Sequence, residues 1–249
     1  MNFAKCELKY SKNRMTKNSY TVLDLFCGCG GLSLGFEKAG FDVLLGVDIW
    51  KDALKTFQFN HHKSNTLCAD MSTLTGEELK SHLGTDNVDV IIGGPPCQGF
   101  SIAGKRIVDD ERNKLYKGFV RMVDYFKPRA FVMENVPNIL SIGDGIVKQS
   151  ILDNFQELGY TVETKVLLAS DYGVPQNRKR AFFVGLLKGT FDFNIPTVEH
   201  KVTTEEALSD LTENSITDNS EYPIAPNCPY QTFMRKDSKG VWNHDVTIH

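Results

Sequence analysis

The chain carries Cys97 in the run Gly93-Gly94-Pro95-Pro96-Cys97-Gln98-Gly99-Phe100-Ser101. A thiol reacts as its thiolate, so it needs a partly exposed and electropositive setting, whereas an isolated cysteine more often packs as a small buried hydrophobe. Glu134, in Met133-Glu134-Asn135-Val136-Pro137, offers a carboxyl group. Beside a flat heterocycle it can bond a ring nitrogen and draw electron density from the carbon a thiolate attacks; otherwise it is a solvated acid at a strand end. The basic run Gln176-Asn177-Arg178-Lys179-Arg180 places Arg178 and Arg180 on one face of an extended segment. Either can anchor a carbonyl or phosphate oxygen, and either can equally belong to a surface patch.

A second constellation lies near the amino terminus. In Asp24-Leu25-Phe26-Cys27-Gly28-Cys29-Gly30-Gly31 a strand runs into a glycine loop, where the backbone can approach a ligand and the next helix presents unpaired N–H groups. Asp48 follows about 20 residues on, at the end of the next apolar run, where a carboxylate can accept from both hydroxyls of a ribose. Serine at position 33, where a dinucleotide fingerprint wants its third glycine, disfavours NAD, and an acid in the loop region suits a cationic ligand better than a pyrophosphate. A plain glycine turn is the alternative.

These residues require a scaffold that brings distant segments to one edge. Apolar runs alternate with amphipathic stretches: strands over Tyr20–Phe26, Phe41–Asp48, Thr66–Asp70, Val88–Ile92, Ala130–Met133, Thr161–Leu168 and Arg180–Leu186. Helices are expected over Gly31–Ala39, Trp50–Asn60, Lys114–Phe126 and Asp144–Leu158, with a short one near Thr204–Leu211. The alternation predicts an α/β fold, a doubly wound and mostly parallel sheet covered on both faces. Cys97 then lies beyond the carboxyl end of a central strand, where such sheets bind substrates, and the polar stretch 103–113 reads as a loop able to close over it. Residues 1–19 read as a flexible arm, 20–189 as the cofactor-binding and catalytic domain, and 190–249 as an irregular extension without a second core.

At 249 residues, with 41% hydrophobic and 24% charged residues, the chain can bury a sizeable core and does not have the composition of a disordered protein. No apolar run approaches a membrane span and the opening residues lack a secretory stretch, so a cytosolic protein with no membrane partner is expected. The six cysteines lack regular spacing and read as reduced thiols. A net charge of −3 does not by itself announce a polyanion ligand.

The ordered set Asp24-Leu25-Phe26-x-Gly28-x-Gly30-Gly31, Pro95-Pro96-Cys97-Gln98, Glu134-Asn135-Val136 and Gln176-x-Arg178-x-Arg180 resembles the cytosine-5 DNA methyltransferases over about residues 20–187. That resemblance implies the Rossmann-like fold of S-adenosylmethionine-dependent methyltransferases, whose last strand is antiparallel, with S-adenosylhomocysteine as product and no metal. It implies that Asp24, Phe26, Gly28, Gly30, Gly31 and Asp48 form the cofactor site with Met71, that Asp70 reaches the adenine amine, and that Gly94 and Pro96 border the methylsulfonium. Where the family often stacks an aromatic on adenine directly after the ribose acid, this chain has Ile49 followed by Trp50. The implied chemistry is attack of Cys97 on carbon 6 of a flipped-out cytosine in duplex DNA. Glu134 would hold ring nitrogen 3 and the exocyclic amine, Arg180 the carbonyl oxygen, and Arg178 would assist the thiolate.

In the family a target-recognition region and a closing helix follow an Asn-His element, here Asn243-His244, and the sequence stops at His249. The expectation is therefore the catalytic subunit of a split restriction-modification-type methyltransferase, completed by a separate basic polypeptide. A transfer-RNA cytosine-5 methyltransferase and a truncated, noncatalytic cofactor-binding module are the alternatives.

Overall fold

A computed structural model of the chain describes residues 19–85, 87–96, 114–211 and 225–235, with the backbone alone at Ile102–Ala103 and Arg106–Ile107. Two compact units are present among these residues: one holds the described chain up to Leu167 together with Lys179–Asn194, the other Leu168–Arg178 and the described residues from Ile195 onward.

The first unit is built on a seven-stranded sheet. Its strands are β1 (Thr21–Leu25), β2 (Asp42–Asp48), β3 (Asn65–Cys68), β4 (Val90–Gly93), β7 (Ala130–Asn135), β8 (Thr161–Leu168) and β9 (Lys179–Leu186), in the order β3-β2-β1-β4-β7-β9-β8. Two further strands, β5 (Ile102–Ala103) and β6 (Arg106–Ile107), form a separate antiparallel pair. β1 through β4 and β7 pair in parallel, and β9 runs antiparallel to β7, as the resemblance implies for the last strand. The central strands are apolar on both faces: Leu23, Leu25, Val47, Ile91, Ile92 and Phe131 are fully buried, as sheets covered by helices demand.

The helices that cover the sheet are α1 (Gly31–Lys38), α2 (Lys51–Asn60), α3 (Gly76–Leu83), α4 (Lys114–Phe126) and α5 (Ile146–Glu157). α4 buries Tyr116, Phe119, Met122 and Val123 along one stripe. Phe119 and Phe155 pack edge-on, their ring centroids 6.3 Å apart, which ties α4 to α5 over Phe131. α3 is absent from the sequence reading. It starts with a capping box in which Thr75 and Glu78 satisfy each other's backbone N–H groups.

β1 and β4 adjoin with crossovers leaving in opposite directions, which is the switch point where doubly wound sheets open a crevice at their carboxyl edge. The strands approach so closely here that a side chain at Gly93 would collide with the Leu25 carbonyl oxygen. Among the described residues, no helix is long and apolar enough to cross a membrane.

The second unit contains α6 (Thr204–Leu208) and α7 (Pro229–Arg235). Gln231 is buried there, its Nε2 donating to the Glu206 carbonyl at 2.9 Å, and Ala207 and Val202 are buried as well. The short helix expected near Thr204–Leu211 is present as α6, and Pro229 opens a second one, α7.

Candidate active site

The loop after β1 is shaped by three left-handed residues in close succession: Phe26 (φ 64°), Gly28 (φ 54°) and Gly30 (φ 92°). Glycine adopts this conformation freely, whereas at Phe26 it stores strain on the order of 1–3 kcal/mol, a pattern that gathers at functional loops. Asp48 fastens the loop, its Oδ2 accepting from Gly28 N–H at 2.8 Å while Oδ1 accepts from Trp50 N–H at 2.9 Å. Positions 28 and 31 face open space, where an added Cβ would meet nothing within 4 Å, as a cradle for a ligand requires.

Asp24 sits beneath that loop and is 1% exposed. Its Oδ2 accepts from Ser33 Oγ at 2.5 Å, while Oδ1 is buried without a hydrogen-bond partner. Burial, reinforced by the nearby Asp48 and opposed by the Ser33 bond, raises its carboxyl to about pH 7. Cys27, one residue beyond the strained Phe26, is pushed up from the ordinary thiol range by burial and by both aspartates, so it remains a protonated thiol.

Sequence reasoning missed His61. Its ring is buried against Phe57, with Nε2 3.1 Å from the Gly30 carbonyl oxygen and Nδ1 2.9 Å from Glu37 Oε2. A side chain at Gly30 would strike the imidazole, so this glycine is required by space as well as by φ. The pattern Asn60-His61 after an apolar helix carries no recognisable signal of such a contact.

Ile49 and Trp50 follow Asp48 with 67% and 65% of their surface exposed, so both apolar side chains stand clear of the core. Asp70 follows β3 and is exposed. Its Oδ1 accepts from Ser72 N–H at 2.8 Å, a bond that lowers its titration below the usual carboxylate range and keeps it anionic. Met71, the next residue, is buried.

Across the β1/β4 seam, β4 runs into Gly94, buried Pro95 and exposed Pro96. Glu134 lies near the carboxyl end of β7, and a Cβ at Gly94 would sit 3.2 Å from its Oε2. Because β9 is antiparallel to β7, its first residues lie at the sheet edge where β7 ends. Arg180 Nε therefore meets Glu134 Oε1 at 2.7 Å, with both side chains about one quarter exposed. Such a charge-assisted bond fixes the plane of the carboxyl group. Asn135 points the other way, buried, and donates from Nδ2 to the Pro95 carbonyl at 2.9 Å.

Gly94, Glu134 and Arg180 are thus brought together, and at the same edge of the sheet Phe26, Gly28, Gly30 and Gly31 form a loop with Asp24 beneath it and Asp48 fastening it. β9 begins at Lys179, so the two-residue strand period does not reach back to Arg178, which belongs to the other compact unit and whose carbonyl accepts from Ala169 N–H at 2.9 Å. Cys97, the expected nucleophile, lies outside the described residues, as do the side chains of the expected closing loop over 103–113 and the arm over 1–18.

The family model for C-5 cytosine-specific DNA methylase matches residues 20–246, which takes in both halves of this edge. The chain belongs to that family. It is 43% identical over 243 residues to the type II methyltransferase M.DdeI of Desulfomicrobium norvegicum, covering 92% of this chain and 58% of that protein. It is 47% identical over 174 residues to M1.HphI of Haemophilus parahaemolyticus, covering 69% of this chain and 47% of that protein. Among solved structures, a candidate DNA modification methyltransferase encoded within an E. coli prophage superposes with a TM-score of 0.74 at 34% identity, covering 88% of this chain and 64% of that one. The chain therefore spans about half to three fifths of the length of these curated relatives.

Proposed function

We propose that the protein methylates carbon 5 of cytosine in duplex DNA, with S-adenosylmethionine as methyl donor. The observation that carries this reading is the Glu134–Arg180 pair beside Gly94, on the same sheet edge as the Asp24–Asp48 loop. One side of the seam offers a carboxylate-fastened glycine cradle and the other a donor–acceptor pair suited to the Watson–Crick edge of a pyrimidine. The family's description as DNA methylases favours DNA over RNA.

The residues present fit the cofactor. Asp48 would receive the ribose hydroxyls and Asp70 the adenine amine, with Ile49 or Trp50 against the ring. Phe26, Gly28, Gly30, Gly31 and Met71 would complete the cradle, and Gly94 and Pro96 would border the sulfonium. The unpartnered Oδ1 of Asp24, beneath the loop, favours a cationic ligand above it. When bound, S-adenosylmethionine supplies an electrophilic methyl group.

The chain's own residues prepare the acceptor. Cys97 thiolate adds to carbon 6 of the base, and the ring electron pair moves to carbon 5. Glu134 holds ring nitrogen 3 and the exocyclic amine, Arg180 the carbonyl oxygen, and Arg178 assists the thiolate. After carbon 5 is alkylated, loss of its proton to a base restores the double bond and breaks the carbon–sulfur bond. The base must leave the helix stack to be reached, which costs a few kcal/mol in unstacking.

The protein acts in the cytosol in this reading. Its relatives carry their additional length on the same polypeptide as the matched part, and the separate basic polypeptide expected from the sequence draws no support from them. Transfer of a tritiated methyl group to duplex DNA, to single-stranded DNA and to transfer RNA tests the proposal with the full-length protein. Incorporation at cytosine carbon 5 of duplex DNA, lost in Glu134→Gln, is expected; incorporation into RNA alone would overturn the substrate assignment.

A further inference from the structure

α4 faces two directions. Its apolar stripe covers the sheet, while Gly118, Arg121 and Tyr125, spaced three and four residues apart, line another face. That second face lies on the segment between β3 and α3. A side chain at Gly118 would collide with the Met71 carbonyl, and one at Gly76 would collide with the Tyr125 ring. Between these two contacts the half-buried Arg121 reaches into the turn. Its Nη2 donates to the carbonyls of Met71 and Leu74, both at 2.8 Å, and its Nε donates to Leu74 at 3.2 Å. Among the described residues it meets no carboxylate, so the guanidinium is held by main-chain oxygens alone.

The turn is polarised as a result. Its amides point toward Asp70: Ser72 N–H to the carboxylate at 2.8 Å, and Thr73 and Leu74 N–H to the Asp70 carbonyl at 3.1 and 2.9 Å. Its carbonyls at 71 and 74 point away, toward Arg121. Fixing those carbonyls fixes the peptide planes, and with them the amide that orients the Asp70 carboxylate. The carboxylate itself is exposed at the surface, held in place by Ser72.

We infer that Arg121 is a positioning residue for cofactor recognition, holding the Met71–Leu74 turn so that Asp70 presents its exposed carboxylate to the exocyclic amine of adenine. The inference rests on the proposed role of Asp70 as the amine acceptor. Lysine cannot substitute fully, because its single ammonium lacks the Nε–Nη2 fork that grips the Leu74 carbonyl while Nη2 also reaches Met71.

The test is calorimetric titration of the full-length protein with S-adenosylhomocysteine and with S-inosylhomocysteine, which carries a 6-oxo group in place of the amine. A general loss of packing weakens both ligands alike, whereas loss of Asp70 orientation weakens only the adenine ligand. Wild type is expected to prefer the adenine ligand at least tenfold, Asp70→Ala to abolish that preference, Arg121→Met to reduce it at least fivefold and Arg121→Lys to fall between. Should Arg121→Met fail to fold, Arg121→Lys carries the comparison. A folded Arg121 variant that keeps the full preference, or that weakens both ligands equally, overturns the inference while leaving the Asp70 assignment standing. Absence of any preference in wild type refutes the Asp70 assignment, and the inference falls with it.

Discussion

Asn135 braces Pro95 across two neighbouring strands: its Nδ2 donates to the Pro95 carbonyl at 2.9 Å while its Oδ1 accepts from Val136 N–H at 2.9 Å. The bond is buried and holds the Gly94–Pro96 segment at Pro95, two residues before Cys97 in the chain. Asn135→Ala should therefore cost about 1–3 kcal/mol of stability, the penalty for leaving a buried carbonyl unpaired, and slow methyl transfer while sparing cofactor affinity. Denaturant unfolding and single-turnover assays on the same preparation check this; unchanged transfer would show that the segment needs no such brace.

Cys97→Ser should abolish transfer and leave S-adenosylmethionine binding nearly intact, since the thiol serves the base and not the nucleoside. A second measurement reads the covalent step directly. DNA containing 5-fluorocytosine should trap the active protein as an adduct, because fluorine cannot leave as a proton does. Substantial turnover by the serine variant, or no adduct with the active protein, would count against covalent catalysis.

Asp48→Ala removes more than a ribose contact, because both carboxylate oxygens also hold loop amides, at Gly28 and Trp50. Cofactor affinity should fall by about 1.5–3 kcal/mol, the range for bonds to a charged group, with the recognised DNA sequence unchanged. Calorimetry decides the first point and methylation mapping the second; an unaltered dissociation constant refutes the ribose assignment.

Asp24 makes the cradle sensitive to pH. Its carboxyl titrates near 3.8 when unfolded and near 7 when folded, so the native state holds an extra proton between those values. Stability should then decline as pH rises from about 4 to about 7, by an amount on the order of 2–4 kcal/mol, and become insensitive to this group above that range. Asp24→Asn should flatten the decline. A cationic ligand favours the ionised form, so S-adenosylmethionine should bind more tightly at pH 8 than at pH 6 in the wild type and equally in the variant. Urea titrations and calorimetry across this range test both statements.

Much of the scaffold is legible because its signals are local. The Lys114–Phe126 helix and the Thr161–Leu168 strand lie where periodicity puts them, and the glycine loop, Asp48 and Glu134 all fall at strand ends, where open sheets bind ligands. α3 was missed although Thr75 and Glu78 spell a capping box and Gly84 a left-handed stop, both readable signals outweighed by the polar run around them. α7 is absent from the sequence reading because its seven residues, opening on Pro229, are too short to show a clear period. Arg121, Asn135 and His61 are different. Each meets a backbone carbonyl 31 to 50 residues away in the chain, and only the fold brings those groups together.

The seam between β1 and β4 has a further consequence. β1 runs into the Phe26–Gly31 loop and β4 into Gly94, which lies against Glu134, and neighbouring strands lie about 4.8 Å apart. At Gly93 the missing Cβ is what admits the Leu25 carbonyl to that spacing. In the proposed function the spacing between the Phe26–Gly31 loop and Gly94 thus has a backbone for its ruler, and a single methyl group added at position 93 would act as a shim, shifting both while their own side chains stay intact.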